Sequence, residues 1–469
     1  MGEMKYLLLA SVLTLVASQG NFTHSLVAGF PWLNFTFPSL QQASDYVSNE
    51  LFTCCMLAGV KVNSQGKYFV SVPRWKPNVP ATLNTLVQLY GQTLLQPFPS
   101  WSQNEAGDPA ALQSVLGFEI DAEDRIWVLD QGKVNGQAAI PGSQKVVVYD
   151  SNSGDQLMLF DLTDVTDPQR SFLNDIVVDT YRQVAYITDS GISVVAGEPI
   201  KGGIIVLDYG NNQIRRVLDS DPSVEDDLSL WVTINGERVN AAGPMETGAD
   251  GLALSCDGAV LFYTPLTSRT LYSIQTTYLR DWDLQDLSAY VMDLGYKVSA
   301  SDGLAASFEG SLYLTAIETS SVYRLSPYTD DPEVFDYHDF QTIAVDPDLM
   351  MWPDTIGFDS SDRSLVFVSN QLHHFVGNTM DFLNPLYGDF NFRIWKVMVE
   401  DSSYTHGCSK GSNTDSSSGF PAWAIAVIVV GSFIIVALGG VACWKYRLAQ
   451  KFDKEPLVSG RKKEGEPIN

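Results

Sequence analysis

The chain has 469 residues, 45% of them hydrophobic and 11% aromatic, with a formal net charge of −26. That is ample for a large core, and five cysteines are too few for a disulfide framework to carry the fold. Acidity on this scale repels nucleic acid and attracts cations or amines, and the sequence offers no basic aromatic groove or Gly-rich phosphate loop to offset it.

In chain order, Lys5 precedes the apolar run Tyr6–Val16, and small residues follow at Ala17, Ser18 and Gly20. That order predicts a secretory signal peptide over residues 1–20. Two sequons come next, Asn21-Phe22-Thr23 and Asn34-Phe35-Thr36, so glycosylation is expected at Asn21 and Asn34. The aromatic alternation of Gly29–Pro38 predicts a strand, and polar Gln41–Glu50 a short helix.

From Gly59 a unit recurs: apolar strand, polar turn, then a strand of aromatic and β-branched residues. Its copies are Gly59–Trp75, Leu116–Gly132, Asn174–Gly191, Ala249–Leu266, Ser301–Ile317 and Met351–Phe375. In the last three the leading aspartates, Asp250, Asp302 and Asp354, stand 52 residues apart. Further strands are predicted at Lys145–Tyr149, Gly203–Asp208, Thr270–Ile274, Ser321–Leu325 and Arg393–Val399. Asp219–Met245, rich in Asp, Gly and Asn, reads as an insertion between the third and fourth units. No single unit buries its own faces, so six of them predict an all-β, six-bladed β-propeller over residues 21–401.

Residues 402–421 read as a flexible stalk. Ala422–Trp444 has 23 residues and no charge. As a helix it would span about 34 Å, enough for one transmembrane crossing. Residues 445–469 hold seven Lys/Arg against four Asp/Glu, leaving −29 on residues 21–444. The basic flank predicts a cytoplasmic tail, with the propeller extracellular or lumenal on the plasma membrane or another secretory-pathway membrane. On that topology disulfides persist, and Cys54 or Cys55 is expected to pair with Cys408, tying the domain ends together.

The innermost strands of a propeller line an axial channel. Asn174, Asp250, Asp302 and Asp354 open strands, and Asp130, Asp189 and Asn370 close the next ones. Such groups converging on one axis would hold a cation or an amine, with Trp352 or Phe392 against its ring or charge. Against this, Asp-Gly at a repeated position is frequently a turn device. Oxygen ligands of this kind would suit calcium, but no spacing identifies a metal site, and no cofactor is expected. The histidines are scattered; His373 and His374, if on a strand, face opposite sides. No Ser-His-Asp arrangement is evident.

Several longer motifs carry a resemblance. They are Phe69–Asn84 (FVSVPRWKPNVPATLN), Pro97–Trp101 with Asn104, Ile126–Gly132 (IWVLDQG) and Tyr186–Gly191 (YITDSG). Ser301–Ala305, Trp352–Asp359 (WPDTIGFD), Leu365–Leu372 (LVFVSNQL) and Asn391–Trp395 (NFRIW) complete the set. From about Phe30 to Glu400 the chain resembles the yellow/major royal jelly protein family. The resemblance implies a six-bladed propeller, secretion, and roles in pigmentation, cuticle or nutrition. It also implies amine binding in the channel for some members and dopachrome conversion for others. The membrane span is a departure from that pattern. Three functions stay open: a cell-surface binder of a small amine or catechol-like ligand, an enzyme, or an adhesion module without catalysis. The enzyme would be dopachrome tautomerase-like or a metal-dependent lactonase.

Overall fold

The computed structural model describes residues 22–240 and 242–409. Within them the chain forms six four-stranded antiparallel sheets and one two-stranded hairpin. Each sheet is a blade. Blade 1 comprises Gly59–Val62, Tyr68–Ser71, Leu83–Leu89 and Gln92–Pro97. Blade 2 comprises Val115–Ile120, Arg125–Asp130, Lys145–Asp150 and Gln156–Asp161. Blade 3 comprises Leu173–Asp179, Val184–Asp189, Gly203–Asp208 and Gln213–Val217. Blade 4 comprises Ala249–Leu254, Val260–Pro265, Thr270–Gln275 and Val291–Tyr296. Blade 5 comprises Leu304–Ala306, Leu312–Ala316, Ser321–Leu325 and Gln341–Val345. Blade 6 comprises Trp352–Asp359, Ser364–Asn370 and Phe392–Met398, completed by the N-terminal strand His24–Phe30. The expected all-β, six-bladed propeller is therefore the fold.

The blades close into a ring because each inner strand packs against the inner strands of its neighbours, blade 6 meeting blade 1. Middle strands are covered on both faces, so Val184–Asp189 and Gly203–Asp208 are buried at every position. Ring closure pairs Ala28 with Ile394 and Phe30 with Phe392. The predicted Gly29–Pro38 strand thus lies earlier, at His24–Phe30. Past Pro31 only Phe35 makes an isolated bridge, to Leu95. The predicted helix forms at Leu40–Ser48, where the Ser39 hydroxyl accepts from the Gln42 N–H. The insertion carries the small hairpin Thr233–Ile234/Glu237–Arg238.

The cysteine pairing differs from expectation. Cys408 is bonded to Cys256, while Cys54 and Cys55 are free thiols. The reason is which end of the ring each occupies. Cys54 and Cys55 precede the first inner strand, at the face where inner strands begin. Cys408 lies where inner strands end, beside the Leu254–Val260 turn of blade 4 that carries Cys256. Among the described residues no helix is long and apolar enough to cross a membrane. The expected signal peptide at 1–20, the sequon at Asn21, the expected span at 422–444 and the basic tail lie outside the described residues.

Candidate ligand-binding site

The site begins with a backbone irregularity that recurs from blade to blade. Pairing between first and second strands slips between Val115 and Phe118, Leu173 and Ile176, Ala249 and Leu252, and Pro353 and Ile356. An extra residue at such a bulge re-aims the side chains beside it. Asn174, Asp250 and Asp354 sit in these slips, and Asp302 lies two residues before the inner strand of blade 5. The following glycine is forced by closeness of the next blade. A Cβ on Gly251 would lie 2.4 Å from the Asp302 carbonyl oxygen, and one on Gly303 2.7 Å from that of Asp354. The repeated Asp-Gly is therefore an inner-strand device that lets adjacent aspartates approach the axis, not a turn.

Three carboxylates meet there, each receiving side-chain donors from neutral groups only, with Thr355 Oγ1 adding a longer bond of 3.3 Å to Asp354. Asn174 Nδ2 donates to Asp250 at 2.8 Å, Trp352 Nε1 to Asp302 at 2.6 Å, and Asn370 Nδ2 to Asp354 at 2.8 Å. Asn174 and Asn370 are held by Ser190 Oγ and the Leu57 carbonyl. Burial, then mutual repulsion, pushes Asp250 and Asp354 well above the usual carboxylate range. Burial likewise raises Asp302 to about 6, opposed by its hydrogen bonds with Trp352 and Asp250.

Asp130 and Asp189 occupy the second strands of blades 2 and 3 and behave differently. Asp130 accepts from the N–H groups of Gln113, Ser114 and Gly132 and from Lys145 Nζ at 2.9 Å. Asp189 accepts from the N–H groups of Phe172 and Gly191 and from Arg216 at 2.5 Å. Both are saturated, carry their own cation, and anchor loops. They leave the candidate set. So does Phe392, which is fully buried at the ring closure against Phe382. Asn34 is half-buried, and its own side-chain oxygen accepts from the Phe35 N–H.

Above the three aspartates opens a cavity of about 390 Å³. Asn174, Asp250, Asp302 and Asp354 form its floor; Trp75, Phe172, Ile192, Met245, Leu372 and Phe375 are among its walls. Trp75, Leu372 and Phe375 fall near the ends of repeat units, but nothing in the repeat marks them as lining; Leu372 and Phe375 come from a short helix, Phe172 and Ile192 from loops, and Met245 from the insertion. Trp75 stood within a motif, but nothing in sequence separated it from its neighbours. At the rim Lys76 lies 3.9 Å from the Phe375 ring centroid and donates to the Phe375 carbonyl and to Asn378 Oδ1. His373 and His374 lie on a short helix, Leu372–Val376, not on a strand, with rings 4.1 Å apart. His373 stacks on Trp352, and burial lowers its pKa to about 3, so the ring is neutral. Among the described residues no group of three or more His, Cys, Asp or Glu side chains is arranged to hold a metal ion.

Major royal jelly protein 5 of Apis mellifera is 30% identical over 221 residues, 45% of this chain and 34% of that protein. The chain therefore spans about a third of that relative's length. Dopaminechrome tautomerase of Drosophila melanogaster is 25% identical over 403 residues, 80% of this chain and 81% of that one. Protein yellow of the same fly is 25% identical over 407 residues, 83% and 71% respectively. The family model for major royal jelly proteins matches residues 113–408, more than half of the sequence. With the propeller and its axial site, that match establishes that this chain belongs to the major royal jelly protein family.

Proposed function

We propose that the protein binds a small organic cation, an amine on an aromatic or other apolar body, in the axial cavity. One contrast carries the reading. Asp130 and Asp189 come with Lys145 and Arg216, whereas Asp250, Asp302 and Asp354 receive only neutral side-chain donors. An ammonium group on the floor would supply the missing charge, and the apolar walls would cover the body that carries it. The expected anchor at 422–444 would display this site at a cell surface.

A second reading rests on the same floor. Adjacent carboxyls that burial raises well above the usual carboxylate range can both give and take a proton, as a tautomerisation requires. The relative named dopaminechrome tautomerase supports this class. Calorimetric titration of the purified protein with phenethylamine, tyramine and dopamine tests binding, and a dopaminechrome assay tests turnover. Binding without turnover selects the first reading. Failure of every amine to bind removes it.

A further inference from the structure

The channel has a second end. Past the last strand of blade 6, Asp401–Ser409 turns back across the face where the inner strands finish. It touches blade after blade. Asp401 accepts from Tyr313 Oη at 3.2 Å and from the Glu309 N–H at 3.1 Å. Ser403 bridges to Ser307, and Ser402 O and Ser409 N bond the Phe308 backbone at 2.9 and 2.8 Å. Tyr404 is 6% exposed, and its hydroxyl oxygen accepts from the Val178 N–H at 2.9 Å. His406 Nε2 meets Ser360 at 3.2 Å, and Cys408 is bonded to Cys256. Blades 3, 4, 5 and 6 are thus all engaged by nine residues of strap.

Beneath the strap lies a chamber of about 40 Å³ lined by Lys61, Glu119, Asp175 and Tyr404. Lys61 pairs with Glu119 at 3.4 Å. A void of about 10 Å³, room for one water at most, joins this chamber to the floor. Asp175 lines both the chamber and the void, and Asp250, Asp302 and Asp354 line the void from the other side. Between floor and chamber the axis thus narrows to the width of about one water, and Ser403–His406 line the chamber from the strap.

We infer that the Asp401–Ser409 strap is a plug that makes the channel one-ended, and that the Cys256–Cys408 disulfide keeps it seated. Entry to the carboxylate floor is then confined to the apolar mouth, which admits cations carrying an apolar body and disfavours hydrated ones. Releasing the plug lets water reach Glu119, Asp175 and the floor from below. That hydration weakens the field on a bound amine and speeds its release through the mouth.

The inference about ligand exchange rests on the amine reading; the plug itself is tested without a ligand. Full-length wild type, oxidised and reduced, is compared with a Cys256→Ala/Cys408→Ala variant and with that variant carrying Tyr404→Ala. Carbodiimide labelling reads Glu119 and Asp175, and hydrogen exchange reads the Val178 amide. The expected result is little labelling in the oxidised protein and about a tenfold rise in both signals once the disulfide is lost. Phenethylamine dissociation should accelerate about tenfold in the same samples. Unchanged labelling and exchange in the reduced protein and both variants overturns the plug. A rise only with Tyr404→Ala overturns the role of the disulfide. If the labels rise while phenethylamine leaves at an unchanged rate, the effect of floor hydration on the ligand is overturned. If phenethylamine never binds but the labels rise, the amine reading fails and the plug stands.

Discussion

Replacing Asp302 by Asn should move binding and stability in opposite directions. The amide keeps an oxygen to accept from Trp352 Nε1, now 2.6 Å from the carboxylate, and keeps the volume of the side chain. What it removes is charge. A charge-assisted hydrogen bond to an ammonium group contributes about 1.5–3 kcal/mol, so amine affinity should fall about 10- to 150-fold. Stability goes the other way. Burial raises this carboxyl from 3.8 to about 6. Between those values the folded chain holds a proton that the unfolded chain has lost. Stability therefore declines as pH rises through that window, and the full cost, about 3 kcal/mol, applies above it. Asn carries no such cost, so at pH 7 the variant should gain about 1–3 kcal/mol, a melting temperature several degrees higher. Scanning calorimetry and phenethylamine titration read the two effects on one sample. A variant that melts lower and binds the amine as tightly as wild type would refute the reasoning.

Three further outcomes follow from the same geometry. A bound ammonium lowers the raised carboxyls of the floor, so protons leave on binding; affinity should rise with pH from about 5 to 7.5, and titrations in buffers of different ionisation enthalpy should show net proton release. Phe392→Ala should cost about 3–5 kcal/mol in denaturant unfolding, with the affinity of the folded fraction unchanged, because that ring fills the ring-closure core. Asp189→Asn removes the buried one of Arg216's two carboxylate partners, leaving only the exposed Asp219, and should cost about 2–4 kcal/mol, again with affinity unchanged.

Much of the fold was legible because propeller blades expose their period in sequence. Strands covered on both faces need continuous apolar residues, and the turns between them need polar ones, so six hairpins could be found by eye. The outermost strands could not. Gln156–Asp161 leaves Leu157 and Leu159 about half exposed and mixes polar and apolar residues in a way that matches neither template. At the site, the 52-residue spacing of Asp250, Asp302 and Asp354 pointed to the axis because each stands at the start of an inner strand. Asp130 and Asp189 shared the residue type but not the role. Their cations, Lys145 and Arg216, arrive from later strands of the same blade, which type and spacing do not encode. Trp75, Phe172 and Phe375 come together only through the packing of two loops and a short helix from different blades. The Cys256–Cys408 bond joins positions 152 residues apart and depends on which face each occupies.

The strand His24–Phe30 gives the ring a timetable. It is made first, yet its partner Phe392–Met398 is the last strand to be synthesised. Between Ala28 and Ile394 the ribosome must add the whole of the propeller, about 20–70 s at ordinary rates of elongation. Throughout that interval the edge strand of blade 6 waits without a partner, and Leu26 and Phe30 stay unpaired. A nascent chain of this protein should therefore be most dependent on chaperones just before residue 398 emerges, and a stall there should leave a sheet edge open to pairing with a second chain.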